Sequence, residues 1–513
     1  MKSFVKRVGI GFGLLACIAL MAMSVSAADG VDTSKEINII GYLLGAAPAG
    51  MPEVIEQLNQ KLKADINATM EIRYIGWGDF QSKYPLILAA GEDIDWIFTA
   101  NWSFYFQQAA KGAFLEITDE MMQKYMPKHY AALNKVAYQQ AKVNGKVYMI
   151  PTSTPDRKVP VMLIRGDLRK KYGVPEITKF ADIEPYLEAI KKNEPGMMPM
   201  NLDSTYDIGF PFAALAQQNG DFFSDILYAT GSGTGVVWGL EDPTGKLLYM
   251  LDEPVISQFK KAAVTMKSWY DKGYINKDVF ANKVRSKDAF TQGKSAVAIG
   301  NSQDIQGTLS DAASKGWEIE IIPALNVNGH YVADPFINNG VALAATTENP
   351  ERVLMALDLI MEDPTYNMLV YFGVEGKNYV IKDNKVALPE GVTADKNTYP
   401  PDAAGFWFTN KDQFPPLAEW TENYVAHRTA VREKGYLVNH PLAAFSANTE
   451  NVKTEVSNLN QVMVQYYQPI NVGMAKDIDA AFKTLDDKLK AAGVEKVRAE
   501  FQTQIDAYMQ SLK

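Results

Sequence analysis

Cysteine is almost missing: Cys17 is the single one in 513 residues, and it lies in an apolar N-terminal run. That excludes an internal disulfide and any cysteine-based metal site. Histidine is nearly as scarce, with His129, His330, His427 and His440 scattered along the chain and no HExxH among them. No GxSxG occurs, and the glycine-rich run Gly231-Ser232-Gly233-Thr234-Gly235 lacks a P-loop lysine and follows no clear strand, so it reads as a loop. No catalytic residue, metal ligand or cofactor is therefore assigned. A pair drawn from the 60 acidic residues is the one catalytic device left open.

Surplus positive charge is also lacking. The first seven residues hold Lys2, Lys6 and Arg7 and no acid, so without them the chain carries 48 basic and 60 acidic residues, a net charge of −12. Nucleic-acid affinity comes largely from Lys and Arg neutralising phosphates, and a membrane patch needs clustered cations. The balance disfavours both partners and makes an uncharged or cationic ligand easier to accept.

What is present begins at the N-terminus. A basic start, an apolar run from Val8 to Val25 and the small residues Ser26, Ala27 and Ala28 form the three parts of a secretory signal peptide. Cleavage after Ala27 is expected, giving an exported, extracellular or periplasmic protein. Leu14-Leu15-Ala16-Cys17 also fits a lipobox, yet the apolar run continues well past Cys17, so a lipid anchor is the less favoured exit. A membrane anchor is the third reading, because about 18 apolar residues just span a bilayer.

About 485 residues remain, too many for one hydrophobic core. Glu36–Leu44 reads as a buried strand, Pro52 opens a helix, Met70–Ile75 is a second strand, Gln81–Ala90 a second helix and Asp95–Thr99 a third strand. That alternation predicts a parallel sheet in a doubly wound lobe, with ligands at the loops leaving the strands: 44–50, 76–80 and 100–105. Strands are predicted at Gly145–Pro151, Val161–Leu168, Lys294–Asn301 and Asn338–Thr346, and helices at Phe180–Lys192 and Pro254–Lys272. The chain thus passes between lobes more than once. Beyond His440, amphipathic helices at Val452–Tyr467, Lys476–Ala492 and Glu495–Leu512, broken at Gly493, form a packing tail.

Several of these segments resemble the extracellular solute-binding proteins of ABC importers that take sugars and oligosaccharides. The residues are Gly76-Trp77-Gly78-Asp79-Phe80, Ala89-Ala90-Gly91-Glu92-Asp93-Ile94-Asp95, the run Val143 to Pro151, Leu163 to Leu168, Trp269 to Tyr274 and Gly293 to Ala298. Val370 to Tyr379 and the tail from Asn451 to Leu512 resemble the subset with an uncharacterised helical C-terminal domain. The resemblance implies two α/β lobes of the type II periplasmic-binding-protein kind, joined by a hinge, closing on a ligand and delivering it to a permease without chemistry. On that basis residues 1–27 are the signal peptide. The first lobe is 28–151 plus about 335–375, the second 152–334 plus about 376–439, and the helical region 440–513.

Candidate ligand contacts follow from loop position and chemistry. Trp77 and Asp79 follow the second strand; Asn101, Trp102 and Tyr105 follow the third, pairing an amide with aromatic rings as hydroxyl bonding and sugar stacking require. Asn301 and Gln303 stand where related binders place a cleft residue, with glutamine in place of the aromatic many of them carry. Asn338 precedes a strand at a crossing, Glu375 lies in a glycine-flanked loop, and Trp407 sits in Phe406-Trp407-Phe408. The expected protein is a monomeric binder of a sugar or oligosaccharide that docks on ABC permease subunits. A secreted glycoside hydrolase or lyase, and a binder of another solute such as a peptide, are the alternatives.

Overall fold

The computed structural model describes residues 31–512 apart from 77–78, 205, 222 and 228–232. The signal-peptide segment, Cys17 and Trp77 lie outside the described residues.

In the first lobe, strands β1 (Ile37–Leu44), β2 (Ala68–Ile75) and β3 (Trp96–Thr99) are parallel, β1 lying between the other two. From Ile39 to Leu44 every residue of β1 is buried, the near-continuous apolar run of a strand covered on both faces. Gly41 is there for space: a Cβ on it would come within 2.2 Å of the Trp96 ring. The helix Met51–Ile66 carries Pro52 in its first turn, buries Met51, Val54, Leu58, Leu62 and Ile66 along one stripe and ends at Asn67 in the left-handed region.

After a short hairpin at Lys142–Val143 and Lys146–Val147 come β4 (Ile150–Pro151) and β5 (Pro160–Arg165), the first still in the first lobe and the second beyond it. β5 is the centre of a three-stranded sheet, flanked by β6 (Val297–Asn301) and β7 (Ile319–Pro323), both antiparallel to it. The parallel, wound pattern expected of the first lobe holds at β1 to β3, whereas the sheet of the second lobe pairs antiparallel. The chain then returns: β8 (Gly340–Leu343) runs antiparallel between β3 and β4 and completes the first sheet. Behind it the helix Pro350–Glu362 is buried at every position from Arg352 to Glu362.

The packing redraws one expected boundary. Tyr399, Phe406 and Phe408 sit in the core of the first lobe, whereas Tyr424 and Val431 pack with Leu163, Phe290 and Ile319 of the second. Segment 376–439, expected in the second lobe, is thus split. Ala418 N–H still donates to Val386 while the Trp420 indole N–H already donates to Gln306, so a further passage between lobes falls at 418–420. The C-terminal helices Lys453–Val462, Ile478–Ala492 and Val494–Ser511 share one continuous core with the second lobe, Leu485, Leu489, Val497 and Phe501 joining Met250, Phe259 and Met266. Gly493 turns the chain between the last two helices at φ 94°.

Candidate functional site

Three stretches of chain join the lobes, at about 152–159, 334–339 and 418–420, and charged side chains tie the first two to the approach of the third. Lys158 Nζ lies 3.1 Å from Asp334 and 3.5 Å from Asp156; Lys411 Nζ lies 2.8 Å from the other oxygen of Asp156. Asn339 Nδ2 adds a donor to Asp156 at 3.3 Å. Burial would raise the Asp156 carboxyl, but Lys411 and Lys158 outweigh it and hold the group well below the usual carboxylate range. Burial likewise works against the Lys158 charge and is outweighed by Asp334 and Asp156, which push the ammonium up. Asp334, which shares its lysine with Asp156, stays raised by burial. The hinge is a charge chain in which Asp156 is the matched centre.

Beside it opens a cavity of about 800 Å³ with walls from both lobes. The first lobe supplies Tyr371, Asn378, Asn397, Asp402 and Phe414; the second supplies Gln303, Gln306, Trp420, Arg428 and Arg432. Tyr371 and Phe414 pack with ring centroids 4.5 Å apart. Burial holds the Tyr371 hydroxyl well above its ordinary value, assisted by Asp402, which accepts its hydrogen bond; burial also raises Asp402. Across the cavity, Gln306 accepts the Trp420 indole N–H at 2.7 Å, and the Arg428 guanidinium lies 4.4 Å above the Trp420 ring. Rings, amides, a hydroxyl and carboxylates around one volume suit a polyhydroxylated ligand, whose ring faces are apolar and whose hydroxyls both donate and accept.

The residues nominated from sequence divide into three groups. Gln303 lines the cavity, and its side chain hydrogen-bonds Asp156. Trp102, Asn338, Asn101 and Trp407 form a shelf on the first lobe beside the crossings. Trp102 Nε1–H donates to the Asn338 carbonyl at 2.9 Å, and Trp407 Nε1–H donates to that of Asp402 at 3.0 Å, which joins the shelf to the cavity. Asn101 Oδ1 is a buried acceptor without a hydrogen-bond partner among the described residues.

The others stand apart. Tyr105 is fully buried; its hydroxyl donates to the Ala141 carbonyl and accepts from Tyr148 N–H at 3.2 Å, so it is a core residue with no surface for a ligand. Its place as the first residue of the helix Tyr105–Ala110 points it into the lobe, a direction that loop position alone does not reveal. Asn301 accepts from the backbone N–H groups of Gln303 and Asp304 at 2.9 and 3.1 Å, building the turn after β6. Asp79 is exposed and paired with Lys83 at 2.8 Å, and Glu375 is exposed on its turn; neither lines the cavity. Of the glycine-rich run, Thr234 and Gly235 give their N–H groups to Asp225 at 2.7 and 2.9 Å, a carboxylate filling the cradle.

Sequence reasoning missed Asp156, Lys411, Phe414, Trp420 and Arg428, and chose Glu375 over Tyr371 within one stretch. A signal was available: Phe414-Pro415-Pro416 cannot continue a helix, and a chain held extended between two packed segments is where a further crossing belongs. Among the described residues, no group of three or more His, Cys, Asp or Glu is placed to hold a metal ion, and no helix is long and apolar enough to cross a membrane.

Residues 44–360 match the bacterial extracellular solute-binding protein family, and residues 441–510 match a domain of unknown function, DUF3502. The chain belongs to the bacterial extracellular solute-binding proteins. Such a protein holds a solute and performs no chemistry on it. The chain is 29% identical to a carbohydrate ABC transporter substrate-binding protein of Streptococcus pneumoniae serotype 4, over 99% of this chain and 97% of that one. It is 22% identical to the polygalacturonan/rhamnogalacturonan-binding protein YtcQ of Bacillus subtilis, over 72% of each. A crystal structure of the N-glycan transport solute-binding protein of Streptococcus pneumoniae superposes with a TM-score of 0.77 at 26% identity, covering 93% of this chain and all of that one. The same protein in complex with Man1GlcNAc and with Man5GlcNAc gives 0.68 and 0.65. The two-lobed solute-binding fold is thereby shown, and membership of an extracellular family implies export.

Proposed function

We propose that this solute-binding protein captures an oligosaccharide in the cavity between its lobes and hands it to the permease of an ABC importer. The observation that carries the reading is the full-length likeness to a glycan-transport binding protein combined with a cavity walled by Tyr371, Phe414 and Trp420 and studded with Asn378, Asn397, Gln303 and Gln306. The likeness is lower to the two glycan complexes than to the 0.77 structure, the direction expected if the present lobes stand in an arrangement other than the glycan-bound one. On this reading Trp102 and Trp407 offer ring faces from the first lobe, Gln303 and Trp420 meet the ligand from the second, and the hinge charges carry the rotation. Closure then creates the surface the permease recognises, a shift of population driven by differential affinity. The protein acts as a monomer, and its mature chain starts at Ala28.

A thermal-shift screen over neutral and acidic mono- and oligosaccharides tests this. A ligand at 100 times its dissociation constant stabilises by about 2.7 kcal/mol, a shift readily read. The ligand should be recovered unaltered after long incubation. Stabilisation by peptides and by no saccharide would overturn the reading, and so would cleaved sugar.

A further inference from the structure

We propose that the end of the inter-lobe cavity built by Arg157, Arg428 and Arg432 is an anion subsite, which selects oligosaccharides bearing a carboxylate over neutral ones. The inference rests on the oligosaccharide reading above and adds the charge class of the ligand.

Positive charge at this end of the cavity is unmatched. Asp412 is shared: a single oxygen, Oδ1, takes Arg157 at 2.6 Å and Arg432 at 3.1 Å. Arg428 has no carboxylate within 4 Å among the described residues; its guanidinium is half-buried against the Trp420 ring. Three guanidiniums thus face one volume with one carboxylate among them. Glu419 borders the same cavity but pairs with none of the three. At the other end carboxylates hold their own against cations, Asp156 paired with Lys411 and Lys158 and Asp402 hydrogen-bonded to Tyr371. The surplus is local to this end, because the lining as a whole carries four carboxylates, Asp156, Asp402, Asp412 and Glu419, and four cations, Arg157, Lys411, Arg428 and Arg432.

Arg428 and Arg432 stand four residues apart on the helix Glu422–Glu433, so both project from one face. Two cations at that spacing repel, which a purely structural helix face gains nothing from keeping. Burial, with Arg428 and Arg157 adding to it, pulls the Arg432 guanidinium below its ordinary value although Asp412 opposes them. Closing the lobes on a neutral sugar would strip water from these cations and return hydroxyl acceptors without a counter-charge. A ligand carboxylate supplies the missing counter-charge, and the planar guanidinium fork fits it with paired hydrogen bonds.

The test is titration calorimetry with uronate oligosaccharides of galacturonate, glucuronate and mannuronate, each beside its methyl ester, with Man5GlcNAc as a neutral probe. At least one acid should bind about tenfold or more tightly than its own ester, as a charge-assisted hydrogen bond implies. Added salt should narrow that gap. Arg428→Gln should abolish it and Arg428→Lys should keep part of it, with Arg432→Gln as a second variant and circular-dichroism melting to verify folding. Equal affinity for acid and ester throughout, or a gap that survives in folded Arg428→Gln and Arg432→Gln, overturns the proposal. Man5GlcNAc or esters bound with no acid preference overturns it while leaving the oligosaccharide reading intact. Binding of no saccharide overturns both.

Discussion

The two walls of the cleft are built on unlike terms. On the first lobe, Trp102 and Trp407 are anchored twice over: each gives its indole N–H to a backbone carbonyl, and each packs on Phe98, with centroids 5.7 and 5.3 Å away. On the second lobe, Trp420 gives its N–H to Gln306 at the start of a short helix and is covered by the Arg428 cation. In all three the indole N–H has a protein partner, so a ligand is left ring faces and edges. On the proposed reading, affinity from stacking and specificity from hydrogen bonds are carried by different residues, the latter by amides and carboxylates around the rings. The aromatics of the first wall are backed by a hydrophobic core, whereas that of the second is backed by an amide and a guanidinium.

That contrast can be broken most forcefully at the hinge itself. Asp156→Ala leaves Lys411 without its carboxylate in a poorly solvated place and should cost about 3 kcal/mol in urea unfolding, as removal of one partner from a buried pair does. A cost below about 1 kcal/mol would mean that the charge chain is no structural joint.

Asp358 offers the opposite case, a buried carboxylate without a paired cation. It accepts the His129 backbone N–H at 2.8 Å, and burial pushes its carboxyl up to about 6 despite that bond. The native state then holds the proton more tightly than the unfolded chain, so wild-type stability falls as pH rises through roughly 4 to 6. Asp358→Asn lacks this term. Its stability relative to wild type should improve by about 2 kcal/mol between about pH 4.5 and about pH 7.5, and a flat difference would contradict the assignment.

The aromatic walls sharpen the comparison with smaller effects. Trp102→Ala and Trp420→Ala should each weaken saccharide binding by about 1 to 3 kcal/mol, but Trp102→Ala should also lower the melting temperature more, since its ring packs on Phe80 and Phe98. If Trp102→Ala unfolds the protein, its role is packing.

Much of this architecture was legible in the chain. β1, β2 and β3 lie within two residues of their predicted starts; β1 and β3, buried on both faces, write their burial as a continuous apolar run, whereas the edge strand β2 is only partly buried. Gly493 marks the helix break, since the left-handed turn there suits glycine. The antiparallel second sheet was not legible: β5 pairs with strands more than 130 residues away, and nothing local encodes direction. The site was read in part for the same reason. Loops after strands led to Trp102, Asn101 and Gln303, whereas Tyr371, Trp420 and Arg428 come together only through the passage at 418–420. Tyr105 shows the limit from the other side, an aromatic after a strand that the lobe turns inward.

The central claim is that the lobes close on a saccharide and leave it intact. Small-angle X-ray scattering of the full chain, with and without a saturating oligosaccharide identified by the thermal screen, tests it most directly. The account predicts a smaller radius of gyration with ligand than without. An unchanged radius with the site demonstrably occupied would contradict it.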